Sequence, residues 1–141
     1  MRLPLFLLLL VGCSNAPERT RIDAASVTTG PSGGLETAIG IAAGSRLVPV
    51  LTAECHLPCS ATQVIRPASA DQQVIAFQLY QGTEVDLAHG KRLGTYRVSW
   101  AGLTRAPAEV EVTFVAESDG AFLHGRARPG GEPLQITRIS P

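Results

Sequence analysis

The sequence predicts an all-β protein: an antiparallel β-sandwich of about seven or eight strands, preceded by a signal peptide and a disordered tether. Three observations carry this. Residues 34–141 alternate apolar and polar side chains with period two. Gly, Pro and Asp interrupt the alternation at short intervals. No stretch carries the 3.6-residue repeat of an amphipathic helix. The length of 141 residues suits one domain with a real core. With 45% apolar residues and twelve basic side chains against twelve acidic ones, the composition excludes a wholly disordered chain. The charges are scattered singly, without the basic stripe that phosphate contacts require, so no nucleic acid partner is expected.

The elements follow in order. Arg2 precedes the apolar run at residues 3–11, too short to span a bilayer but long enough for a signal-peptide core. The run ends Leu10-Val11-Gly12-Cys13, which resembles the bacterial lipobox. That resemblance implies a signal peptide over 1–12 and acylation of Cys13, the chains anchoring the protein at about 0.8 kcal/mol per buried CH₂. Ser14, rather than Asp, after the cysteine implies the outer membrane, facing the periplasm. Residues 13–33 are rich in Ser, Thr, Ala, Pro and Gly without apolar periodicity and read as a flexible tether. Export places Cys55 and Cys59 where disulfides persist. A small loop disulfide is the favoured reading; free thiols and metal ligation beside His56 are the alternatives, although no second His/Cys cluster completes a metal site.

From residue 34 to the end, strands are read at Ile75-Ala76-Phe77-Gln78-Leu79, around Tyr96, Val98 and Trp100, around Val110, Val112 and Phe114, and at Leu134 and Ile136. His89-Gly90-Lys91 and Ser118-Asp119-Gly120 read as turns. Catalytic constellations are weak. Gly33-Gly34 and Gly40 lack the Gly-Lys-Ser/Thr of a phosphate loop. His56, His89 and His124 are scattered, His124 on the solvated face of a strand, and no nucleophile elbow is present. Glu109 and Glu111 read as a polar strand face. A His89–Asp86 hydrolytic pair is a minor alternative beside a turn. No cofactor, metal, nucleotide or enzymatic activity is expected.

Six strings then occur in a recognisable order: Gly34-Leu35-Glu36-Thr37-Ala38, Leu57-Pro58, Leu79-Tyr80-Gln81-Gly82, Leu93-Gly94-Thr95-Tyr96-Arg97-Val98, Ala106-Pro107 leading to Val110-Glu111-Val112-Thr113-Phe114, and Asp119-Gly120-Ala121-Phe122-Leu123-His124. The series resembles the substrate-binding β-sandwich of DnaK-type heat-shock chaperones over residues 34–138. The resemblance implies a channel for extended apolar peptides, with a pocket lined by Leu35, Ile65, Ile75, Phe77 and Val110. It implies backbone contacts from Glu36 and Thr37, and an arch over the peptide from Ala38 and Ala68. Ile39 departs from the family's glycine at that position, which implies a stiffer or narrower entrance. Neither an ATPase domain nor a helical lid is read in this chain. The resemblance therefore implies a lipid-anchored, chaperone-like holdase for extended apolar segments or unfolded envelope proteins. Exchange would be rapid and Kd no tighter than about micromolar, ~8 kcal/mol. The rival expectation is a β-sandwich scaffold that binds a folded envelope partner through its surface.

Overall fold

The computed structural model describes residues 18–83 and 85–140, and the expected all-β architecture is what it shows. Its nine strands are β1 Thr20–Arg21, β2 Ala38–Ala43, β3 Arg46–Leu51, β4 Cys59–Ile65, β5 Val74–Gly82, β6 Lys91–Ser99, β7 Glu109–Glu117, β8 Gly120–Arg128 and β9 Pro133–Ser140. All pairings between them are antiparallel. The strands hydrogen-bond in the order β3-β2-β5-β6-β9-β8-β7-β4, and β1 adds to β8. β9 makes the corner. Its first residues pair with β8 and the rest with β6, so one ribbon doubles into two layers. The ribbon's ends, β3 and β4, lie against one another without a ladder between them, and the sandwich is nearly closed.

Period two decides which side chains meet inside. β7 buries Val110, Val112, Phe114 and Ala116, while its odd positions are only half-buried. β5 turns Phe77 and Leu79 inward, β6 Tyr96 and Val98, and β8 Ala121, Leu123 and Ala127. Trp100, 3% exposed, closes one end of this core. β4 shows the same alternation more weakly, with its inward residues only half-buried, because β7 alone flanks it.

The part of the expected tether that the structure describes, residues 18–33, is instead a strap folded onto the sandwich. β1 pairs Thr20 with Leu123 and Arg21 with Phe122, and Ile22 is 2% exposed within the core. Farther along, the Ser26 amide donates to Gln81 Oε1 at 3.0 Å, and Gln81 Nε2 donates back to the Ser26 carbonyl at 2.6 Å. Hydrogen bonds, the Arg19–Glu117 and Arg138–Asp23 ion pairs and one deeply buried isoleucine, with Ala25 and Val27 half-buried beside it, hold the strap, so it carries no apolar period to read. Residues 1–17, with the expected signal peptide and Cys13, lie outside the described residues.

One local feature shapes everything around the β2–β3 hairpin. The register slips between Ile39 and Gly40, where β3 carries the extra residue Val50 beside Pro49. The two arms approach so closely there that a Cβ at Gly40 would run into the Val48 carbonyl oxygen and lie 2.8 Å from Pro49 Cα. Only glycine fits. Gly40→Ala is expected to lower stability by about 2–3 kcal/mol through this backbone clash, read as a drop in the urea midpoint at unchanged slope; a loss below about 0.5 kcal/mol would contradict the close approach.

Candidate functional site

After Ile41 the hairpin leaves the sheet. β2 pairs with β5 only from Ala38↔Gly82 to Ile41↔Leu79, and Ala42 and Ala43 continue against β3 alone. β5 therefore runs on through Val74–Gln78 with β6 on one side and no strand on the other. An open groove of about 540 Å³ occupies the space so made. The hairpin contributes Ile41, Ala42 and Gly44, β4 contributes Ile65, β5 contributes Ile75, Ala76, Phe77 and Gln78, and β6 contributes Thr95. The site is an apolar trough beside an unpaired length of strand.

Each wall is braced. On the hairpin side the Leu47 amide donates to the Val85 carbonyl at 2.7 Å and the Leu87 amide to the Ser45 carbonyl at 3.3 Å. A 3₁₀ turn, Leu87–His89, follows this contact and is capped by Asp86, whose Oδ1 accepts from the Ala88 amide. On the other side the loop 66–73 follows Ile65. Trp100 holds it, its backbone amide donating to the Gln73 carbonyl at 3.0 Å and its indole Nε1 to the Gln72 carbonyl at 2.8 Å. Gln72 Oε1 accepts from the Ala68 amide.

The structure brings some of the expected site residues together and separates others. Ile65, Ile75 and Phe77 line the groove. Val110 is the cross-strand partner of Ile65 but is wholly buried, so it packs in the core instead of facing the trough. Leu35, 2% exposed, is also a core residue, with its amide given to the Cys55 carbonyl. Glu36 and Thr37 face the strap: the Glu36 amide donates to the Thr28 carbonyl, and Thr37 Oγ1 accepts from Gln81 Nε2. Ala38 pairs with Gly82 at one end of β5, whereas Ala68 lies in the loop before the other end. The eight steps of β5 between those ends span about 26 Å at ~3.3 Å each. The two alanines form no arch over the groove. Ile39, expected to narrow an entrance, is fully buried in the core.

Sequence reasoning missed Ile41, Ala42, Gly44, Ala76, Gln78 and Thr95. The signal for Ala42 was the small-residue run Ala42-Ala43-Gly44, which marks a hairpin tip that could curl away from its sheet. The structure joins Cys55 and Cys59 in a disulfide, Cα atoms 5.9 Å apart, in the connection between β3 and β4.

Other chemistry is sparse among the described residues, where no cluster of three or more His, Cys, Asp or Glu side chains could hold a metal. The His89–Asp86 pair, 3.2 Å apart, sits on the surface with both side chains more than half exposed. His124 departs from the expected solvated residue. It is half-buried, its Nδ1 is buried without a hydrogen-bond partner, and burial, then the Arg126 and Arg19 charges, hold its pKa below the usual histidine value. The unfolded chain takes up this proton first as pH falls, so the group leaves stability unchanged above about pH 6.5 and erodes it below. The thermal midpoint is expected to fall as pH drops through 6.5 toward 5, and less steeply in His124→Gln; identical slopes for the two proteins would refute the assignment. No model of a known protein family matches the chain.

Proposed function

We propose that this protein binds extended, apolar-rich polypeptide segments in the groove between the β2–β3 hairpin and β5, as a chaperone-like holdase that works without nucleotide. The observation that carries the reading is the coincidence of two features at one place. A strand edge unpaired over Val74–Gln78 offers main-chain donors and acceptors to any extended chain, except the Val74 carbonyl, which accepts from Gln72 Nε2 at 2.8 Å. Ile41, Ile65, Ile75 and Phe77 beside it offer an apolar pocket for one side chain. The first gives affinity without sequence demand, and the second selects unfolded segments that expose leucine-like residues. Filling the pocket contributes about 1.5–3 kcal/mol. The resemblance of the ordered strings to the substrate-binding sandwich of DnaK-type chaperones supports the same reading, although the groove shares only Ile65, Ile75 and Phe77 with the pocket that the resemblance implied. Acylation at Cys13, as the lipobox implies, would hold the groove close to the bacterial outer membrane, where unfolded envelope proteins pass.

The test uses residues 14–141 and a fluorescent heptapeptide with a central leucine. Saturable binding is expected with Kd of about micromolar or weaker. Ile41→Asp and Ile75→Asp, each placing a charge in the trough, are expected to weaken it at least tenfold while circular dichroism stays that of the parent. Absence of saturable binding to the parent protein, or binding unchanged in both variants, would overturn the reading. Capture of a folded partner that survives both substitutions would favour the scaffold alternative.

A further inference from the structure

We infer that the groove prefers segments whose apolar anchor is flanked by acidic residues; this deepens the peptide-binding reading and rests on it. The charges of the two layers are unevenly placed. The strands that build the groove's own layer, β2, β3, β5, β6 and β9, carry Arg46, Lys91, Arg92, Arg97 and Arg138 and no Asp or Glu. Opposing carboxylates are gathered on β7, as Glu109, Glu111 and Glu117. The strands of the groove's own layer thus carry five cations and no carboxylate.

Three of these cations remain available to a ligand. Lys91 is occupied by the Ala24 carbonyl at 2.8 Å, and Arg138 by Asp23 at 3.3 Å. Arg46, Arg92 and Arg97 are exposed and make no ion pair among the described residues. Their positions bracket the groove. Arg97 is the cross-strand partner of Ala76, which lines the groove from the outer face of β5, opposite to Ile75 and Phe77, and so stands with its Cβ about 5 Å from that of Ala76. Arg92 donates to Oγ1 of Thr95, another lining residue, at 3.3 Å. Arg46 opens β3 two residues after Gly44, on the opposite wall.

Among the described residues, most nearby carboxylates have other partners. Glu109 is held at 3.3 Å by both Arg66 and Arg128, and Glu111 at 3.2 Å by Arg128. Asp86 is the antiparallel backbone partner of Arg46, and its carboxylate lies 3.2 Å from His89, so Arg46 is the most screened of the three. Asp71 lines a separate hollow with Gln72 and Trp100. A strand laid along β5 would therefore turn its outward side chains toward the face that carries Arg92 and Arg97, where charges act over a ~10 Å screening length at 0.1 M salt. Acidic flanks gain there and basic flanks lose. Exposed pairs are weak, each worth roughly a factor of two, so two or three give about a five-fold preference.

The experiment compares three fluorescent peptides on residues 14–141, identical in their leucine core and flanked by Glu, Gln or Lys. The Glu-flanked peptide is expected to bind about five-fold tighter than the Gln-flanked one at low salt, and the Lys-flanked one most weakly. The order should collapse at high salt and reverse in the double variant Arg46→Glu, Arg97→Glu, whose exposed sites leave the fold intact. Equal binding of all three, or an order that survives the double variant, overturns the charge preference alone. Failure of all three to bind overturns the groove reading and this inference with it. Phosphatidylglycerol vesicles form the last arm. Sedimentation with them, lost in the double variant and accompanied by no peptide preference, would assign the cations to a membrane surface and overturn the proposal.

Discussion

The separation of β2 from β5 beyond the Ile41–Leu79 rung is the constraint on which the site depends. Had β2 continued along β5, its backbone would have satisfied the strand edge and its side chains would have covered Ile75 and Phe77. The separation begins just past the slip at Gly40, where an extra residue in β3 and the rigid ring of Pro49 turn the hairpin while a missing Cβ lets its arms touch. A small sequence feature thus converts part of a closed sheet into an open trough.

An unpaired apolar edge is ordinarily a liability, since it invites association with other strands. Here the surrounding structure contains it. The Val85–Leu87 segment pins the hairpin tip through two backbone hydrogen bonds, and Trp100 pins the loop after Ile65 through two more. Each such bond contributes about 1 kcal/mol net, enough to keep a short wall in one arrangement. Farther off, the strap is stitched to the end of β5 by the Ser26–Gln81 pair, and Gln81, 4% exposed, is buried only because it is hydrogen-bonded to Ser26 and Thr37. The opposite end of β5 is left as the accessible one. Exposed guanidinium groups of Arg92 and Arg97 on its outer face would add a repulsive element toward copies of the same face.

Much of the fold was legible, because β5, β6, β7 and β9 alternate cleanly between a buried and a wetter face. β4 was harder: as an edge strand it half-buries its inward residues, and Cys59–Ile65 reads as polar and small. The strap was illegible, its single deep anchor being Ile22 amid hydroxyl and small residues. For the site, an apolar residue type fits a pocket wall and a core equally well, so nothing in Leu35 or Val110 distinguished the two. Ala38 and Ala68 depended on the path of the chain in three dimensions, where β5 holds them apart. The groove's hairpin side was missed because its residues become a wall only through the turn at Gly40, a tertiary consequence of a local slip. His124 was missed for a related reason, since its half-burial follows from neighbours on β1 and β7.

Hydrogen exchange at the backbone of β5 tests the central claim most directly, because the claim concerns those amides. On addition of a saturating leucine-centred peptide, amides within Val74–Gln78 and at Ile41–Gly44 are expected to slow together, while those of β7 and β8 keep their rates. Peptide binding that leaves the β5 edge exchanging as before, with protection appearing on the outer face of β7 and β8, would contradict the account.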